Sequence, residues 1–362
     1  MNVIKKRITL EKLLNKINMV FLVILIVIIM VWSDYDAFYL LPVFLVMLAF
    51  LFRLNGAAAE KEKKFLIPVT VFAFLLRVNL TLLLYLVSKY AGNHGFWSFA
   101  IDSQYYFEAG SKLSAFWSGG PPVKVDVFNT YVYFVAFVYW LFSPKLILTS
   151  LFNAFFGTVS VVLLYFISRY LFAHTGRRAV EGITLLAAMF PSFVLWSTQT
   201  LKDPLVVLLL LLFVLFFLQY FSDRRVVWML SAGVTVNLLA GVRNYTAVIL
   251  VAAVFLNLLV MYLRLREGLD RKKLLLDVSL IGTCVMAIFL SKFGTSIVQS
   301  LLQTNLQSIQ SMRENVYAIG NTGITEGDVS SPAGALKYLP LGLAYVFLAP
   351  FPDMWLIGRG FN

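Results

Sequence analysis

The residues best suited to chemistry are four carboxylates and a few cations that fall in polar intervals between long apolar runs. Asp102 and Glu108 lie in FAIDSQYYFEAG at 99–110, Lys124 and Asp126 follow, Lys202 and Asp203 form the centre of TLKDPL, and Arg243 and Arg313 come later in the chain. A carboxylate can accept the proton of a hydroxyl as that hydroxyl attacks, and cations can neutralise a phosphate as it departs. Gathered at one membrane face, this set suits transfer of a group from a phosphate to a hydroxyl. Each member also has a plainer reading. Asp102 can be a hydrated loop residue, and Glu108 a solvated residue on a short helix. Asp203 followed by Pro204 reads as a helix N-cap and a first helical residue, while Lys124 and Lys202 can snorkel to lipid headgroups.

The elements that must position these residues are membrane helices. The 362 residues are 60% hydrophobic and 13% charged, with a mean hydropathy of +0.84. Soluble domains carry about 25% charged residues, so this chain is an all-α polytopic membrane protein. The net charge of +12 sits in short loops between apolar runs, which is the positive-inside pattern and implies no nucleic acid. Cys284 is the single cysteine and has no intrachain partner. The two histidines, His94 and His174, lie in different loops without ligand spacing, so a zinc-type protein cage is not expected.

Charge decides the topology. Residues 1–18 interleave Lys5, Lys6, Arg7, Lys12 and Lys16 with apolar side chains and read as a basic interfacial helix on the cytoplasmic face. A retained first span at 19–32, an acidic turn at 33–36 and a return span at 37–52 complete an N-terminal hairpin. The third span, 65–90, carries Arg77 at mid-depth, where a charge costs at least ~2.5 kcal/mol unless it faces protein or water. It is expected to face the bundle interior, either paired with carbonyls or Asn79 or reaching a substrate. The run at 125–142 is apolar enough to span, but counting it as a span exports Arg177, Arg178, Arg224, Arg225 and the basic loop at 264–273. Its aromatic content suits the headgroup zone, so it reads as a juxtamembrane helix. Spans at 146–172, 179–198, 204–221, 226–242, 245–263, 274–292 and 338–356 bring the expected count to about ten. The segment 293–337 reads as polar and external, amphipathic at 297–309 and then a loop. Pro340, Pro350 and Pro352 are expected either to break the last helix or to end it. The expected organisation is an N-terminal basic helix and hairpin at 1–64 and a transmembrane core at 65–362, with external loops at 91–145 and 293–337.

This pattern resembles the membrane glycosyltransferases of the GT-C fold, in particular the bacterial group related to glycosyltransferase family 39 and the protein O-mannosyltransferases. The resemblance rests on the span containing Arg77, on Asp102-Ser103-Gln104-Tyr105-Tyr106 and on Pro121-Pro122 ahead of the aromatic helix. Ser168-Arg169-Tyr170-Leu171-Phe172, Pro191, the polar stretch 197–200, Leu201-Lys202-Asp203-Pro204, Tyr338-Leu339-Pro340 and Pro350-Phe351-Pro352 complete it. It implies a catalytic aspartate at Asp102, a second acidic position at Asp203 and a polyprenyl-phosphate sugar donor used outside the membrane. Where the family often has Asp-Glu, this chain has Asp102-Ser103.

The expected activity is inverting transfer of a sugar from a lipid phosphate to an acceptor hydroxyl on a glycan, lipid or protein of the cell envelope. Tyr105, Tyr106, Glu108, Lys124, Lys202, Arg243, Arg313 and Arg77 form the expected substrate-binding set, with membrane lipid as surroundings. No cofactor is required, and a divalent metal is possible. The expected location is the cell membrane, multi-pass, with the N-terminus cytoplasmic and the active site extracytoplasmic. A transporter or lipid-linked sugar flippase, or a polysaccharide polymerase or ligase of another membrane fold, is the alternative. Transporters usually show paired halves and broken mid-membrane helices with several buried charges, and the sequence shows neither.

Overall fold

The computed structural model describes residues 2–31, 37–97, 101–122, 124–125, 127, 129–172, 176–264, 282, 305–320 and 328–348. The acidic turn at 33–36, Asp126, His174, the loop after Arg264, the expected span at 274–292 with Cys284, and Pro350 and Pro352 lie outside the described residues. Among the described residues the structure is helical, without strands, and it divides into two units, Met1–Leu215 and Phe216–Asn362.

The first unit is organised on two long helices, α3 (Glu60–Tyr90) and α6 (Leu146–Leu171). They run antiparallel: Phe65 packs on Tyr165 at one end, Gly157 meets Arg77 midway, and Thr81 and Tyr85 share a cavity with Leu146 and Ser150 at the other end. Between them a core of Leu66, Val69, Ala73, Val161 and Val162 is almost wholly buried. At 1.5 Å per residue these helices are roughly 46 and 39 Å long, enough to cross a hydrocarbon core of about 30 Å. With α9 (Asp203–Asp223), they are the three helices among the described residues that are long and apolar enough to span. The expected ten spans are therefore not reproduced. The helices α2 (Ala37–Asn55), α10 (Val226–Val242) and α11 (Asn244–Arg264) contribute only shorter apolar stretches.

Four expectations change. The basic interfacial helix and first span form one continuous helix, α1 (Asn2–Val31), because no helix breaker separates them. It lies parallel to α3: Leu14 joins the same core as Phe65, Asn18 donates to the Pro68 carbonyl at 3.0 Å, and Asn79 donates to the Phe21 carbonyl at 3.1 Å. The span expected at 179–198 is broken into α7 (Arg177–Met189) and α8 (Pro191–Trp196). Proline has no N–H and drives the residue before it out of helical conformation, and Phe190 is accordingly extended, with φ −60° and ψ 113°. A broken helix is thus present where the sequence reading found none. Asp102 is not in a loop but in the first turn of α4 (Ile101–Trp117). Finally, Pro340 neither breaks nor ends its helix, which runs from Pro332 to Leu348.

The juxtamembrane helix expected at 125–142 is α5 (Tyr131–Leu141), eleven residues and roughly 16 Å long, too short to cross a bilayer. It packs along α4 through Gly110, where a Cβ would strike the Val135 side chain. Only glycine permits that approach.

In the second unit Tyr220 and Met229 pack with Phe217, Trp228 and Val254. The segment read as amphipathic chain and loop contains a helix at Leu306–Gly320. Asn305 and Ser308 cap it reciprocally: Asn305 Oδ1 accepts from the Ser308 amide at 2.7 Å and Ser308 Oγ accepts from the Asn305 amide at 2.9 Å.

Candidate active site

Asp102 and Asp203 both begin helices at the same end of the first unit. The Lys202 carbonyl accepts from the Val206 amide at 3.1 Å, so Lys202 holds the cap position of α9 and Asp203 is the first helical residue, one place later than the sequence suggested. A helix N-terminus favours negative charge, since its first amides lack partners and the peptide dipoles align there. Asp102 is exposed, whereas Lys202 and Asp203 are half-buried.

A chain of polar contacts ties the Asp102 helix to the turn that precedes Asp203. Tyr106, 2% exposed, accepts a hydrogen bond from Asn129 Nδ2 at 3.1 Å and sets its ring edge-on to Tyr131, with centroids 4.8 Å apart. Tyr131 donates to Asn153 Oδ1 at 3.2 Å. The Asn153 amide group then donates to the carbonyls of Gln199 and of Leu201, the latter at 2.7 Å, using both its hydrogens. Beside it, Thr200 bonds Thr149 at 2.7 Å and Ser150 at 3.0 Å, and Tyr139 reaches Thr149 at 3.2 Å. Burial pushes the Tyr106 phenol well above its usual range; the negative charges of Asp102 and Asp203 add to this, while the Asn129 bond opposes it. Burial does the same to Tyr131, opposed by the Asn153 bond and reinforced in part by Asp203. The phenols therefore remain protonated hydrogen-bonding groups.

The other expected residues fall as follows. Tyr105 is half-buried with its ring against Tyr106, centroids 5.3 Å apart. Glu108 is exposed and accepts from Gln104 Nε2 at 2.9 Å, and Lys124 is exposed. Arg77 faces the interior as expected, with 0% exposure. It donates to the carbonyls of Ala73 at 3.1 Å and Ala188 at 3.2 Å and to Ser197 Oγ at 3.0 Å, with its guanidinium 5.1 Å from the Phe193 ring centroid. It is thus a brace across the α7–α8 break, paired with carbonyls rather than with Asn79, and no part of it is open to a substrate. Gly157 makes room for it, since a Cβ there would lie 2.9 Å from Arg77 Nε. Arg243 and Arg313 belong to the second unit, where Arg243 lies 5.2 Å from the Tyr245 ring centroid and Arg313 4.3 Å from that of Tyr338.

The sequence reading named none of Asn129, Tyr131, Thr149, Ser150 and Asn153 as site residues, and took Ser197 to Thr200 only as a polar stretch. A usable signal existed for three: Thr149, Ser150 and Asn153 are polar residues inside an apolar span, where an unpaired polar group is costly. Among the described residues, no group of three or more His, Cys, Asp or Glu side chains is gathered as a metal cage would be.

Membrane-length helices with two carboxylates and a buried polar network at one end have the layout of an integral membrane protein that works at a bilayer face. Residues 130–291 match the family model described as dolichyl-phosphate-mannose-protein mannosyltransferase, which bears out the resemblance to the GT-C membrane glycosyltransferases and implies a glycosyltransferase. The matched segment takes in α5, α6, Asn153, Asp203 and Arg243, and begins after Asp102. No curated protein and no solved structure matches the chain.

Proposed function

We propose that the protein transfers a sugar from a polyprenyl-phosphate donor to an acceptor hydroxyl on a glycan, lipid or protein at the outer face of the cell membrane, with inversion. The observation that carries this reading is the hydrogen-bonded path from Tyr106 through Asn129, Tyr131 and Asn153 to Leu201, which ties the helix of Asp102 to the turn before Asp203. In this mechanism Asp102, exposed and reachable by a water-borne acceptor, takes the acceptor's proton. The acceptor oxygen attacks the anomeric carbon as the bond from that carbon to the phosphate oxygen breaks on the opposite side. The leaving group is a lipid phosphate monoester, and Lys202 supplies positive charge towards it. Asp203 is the second acidic group of the site. No cofactor enters this scheme, and a divalent metal near the two carboxylates is compatible with it.

The test is Asp102→Asn, assayed with a polyprenyl-phosphate sugar in a preparation shown to be inserted and folded. Loss of the general base is expected to lower transfer about 10²–10⁴-fold. Full activity in this variant removes the central claim, and retention of anomeric configuration in the product removes the single-displacement step.

One observation favours the carrier alternative: the helix break at Phe190–Pro191 lies beside buried Arg77. Against it, Arg77 is closed off by Ala188, Ser197 and Phe193 rather than lining a lumen. Movement of labelled lipid-linked sugar across proteoliposomes without a new glycosidic bond would favour the carrier.

A further inference from the structure

At the Asp102 end of the first unit, a cavity of about 20 Å³ lies between α3, α4, α6 and the turn at 198–200. Thr81, Ser103, Ser150 and Gln199 are among its lining residues, and no charged side chain lines it. Gln199 is 5% exposed, and neither its Oε1 nor its Nε2 has a hydrogen-bond partner among the described residues. Thr81, on α3, is 1% exposed, and its Oγ1 has none among them either.

Threonines elsewhere in this protein show what is unusual about Thr81. A threonine inside a helix can donate to the carbonyl three or four residues back, as Thr70 does to Leu66 at 2.8 Å, Thr158 to Ala154 at 2.9 Å and Thr184 to Val180 at 2.7 Å. Thr81 forgoes that bond and lines the cavity. Unpaired polar groups inside a membrane bundle are costly, and folded proteins pair buried ones with protein or with ordered water. A cavity admits one water from about 10–15 Å³ upward, provided at least two polar groups can pair with it. This one meets both conditions and is too small for a substrate.

We propose that one ordered water binds here, joining the Gln199 carboxamide to the Thr81 hydroxyl, and that through it Gln199 is a positioning residue for the transfer reaction. The Gln199 backbone carbonyl accepts from Asn153 on α6, so the water ties the side chain of the same residue to α3. The turn that leads into Lys202-Asp203 is then held from two helices rather than one. Ser103, 3% exposed and next to Asp102, lines the same cavity, so a shift of the turn also reaches the first turn of α4. The positioning role rests on the transferase reading; the water site does not.

The experiment is a double-mutant cycle on the full chain in detergent, with Thr81→Val, Gln199→Leu and the two combined. Thermal stability and steady-state transfer from a polyprenyl-phosphate sugar are both read. Valine keeps the shape of threonine and removes only the hydroxyl. Each single substitution is expected to lower kcat about tenfold with KM for donor and acceptor unchanged. The double variant should fall no further than the worse single one, in kcat and in stability, because either change releases the same water. Thr81→Ser, which keeps the hydroxyl, should restore the wild-type kcat. Where Gln199→Leu does not fold, Gln199→Met replaces it. Cryo-electron microscopy of the wild type at a resolution that shows ordered water should place one molecule between Gln199 and Thr81. Stability effects that simply add, a Thr81→Ser variant as impaired as Thr81→Val, or a dry cavity overturns the inference and leaves the transferase reading standing. A change confined to KM overturns the positioning role. A wild type that transfers no sugar overturns the transferase reading and the positioning role together, while the stability cycle still decides the water site.

Discussion

The two ends of the first unit solve the problem of polar groups beside a membrane in opposite ways. At the end where α3 begins, charges pair with charges at the surface: Arg169 bridges Glu62, Arg177 bridges Glu181 at 2.7 Å, and Arg177 also donates to the Lys61 carbonyl at 2.6 Å. At the end where α3 finishes, the network is neutral and buried, made of Tyr131, Tyr139, Thr149, Ser150, Asn153 and Thr200. Exposed ion pairs contribute little and are screened by salt, whereas buried amides and hydroxyls leave a large penalty if one partner is removed. The first end marks a membrane face, and the second fixes geometry. A site that must hold reacting groups in register belongs at the second.

The largest expected effect is all-or-none and concerns which end faces outward. With Cys284 replaced, Lys112→Cys on the exposed side of α4 should react with an impermeant maleimide added outside intact cells. Tyr170→Cys, 45% exposed in the native side chain at the end of α6, should not. Labelling in the reverse pattern would place Asp102 in the cytoplasm, against the positive-inside rule and the proposed function together.

Next comes Asn153→Leu. It strips partners from the Tyr131 hydroxyl and from the Gln199 and Leu201 carbonyls, all buried, and should cost roughly 2–4 kcal/mol of stability. The loss should be insensitive to salt and should lower transfer beyond what unfolding explains, because the turn before Asp203 is released. Thermal denaturation in detergent at low and high salt, with activity measured well below the transition, checks both parts.

Gly157→Val tests the brace between the ends. Its added Cβ would lie 2.7 Å from Ser197 Cβ and 2.9 Å from Arg77 Nε, within a fully buried cluster, so overpacking of roughly 1–3 kcal/mol is expected. If stability is unchanged, Arg77 is not held as tightly as its contacts imply.

The part of this that the sequence made legible is the part encoded by composition and local pattern. The spans of α3 and α6, the presence of a helix within 125–142 and the inward-facing Arg77 follow from apolar run length, charge position and aromatic content. Asp102 and Asp203 were also visible, because polar residues between apolar runs are few. The α7–α8 break was signalled by Pro191 but hidden by apolar residues on both sides, which look the same whether the helix is continuous or bent. Which groups Asn153 clamps could not be read at all. Asn153 meets carbonyls 46 and 48 residues away, and one sequence carries no record of which polar residues in different helices meet. The span count is matched by only three helices among the described residues, because hydropathy measures whether a segment tolerates lipid, not whether it forms one unbroken helix.

The smallest effect is expected at the ionic end, and it is the sharpest control on the comparison. Arg169 and Glu62 make an ion pair whose arginine side chain is 47% exposed; pairs of this kind are worth about 0–1 kcal/mol and weaken as salt rises. Arg169→Gln should therefore lower stability by less than 1 kcal/mol at low salt and by nothing measurable at high salt, with transfer unchanged. Glu62 has a second task, accepting from the Ala59 amide at 3.3 Å at the start of α3, so Glu62→Gln should preserve part of that capping while losing the ion pair. The two single variants and the double variant form a cycle in which the pair's coupling is read directly. A coupling as large as the Asn153 effect, or one that does not decline with salt, would mean that the ionic end also holds geometry, and the contrast between the ends would fail.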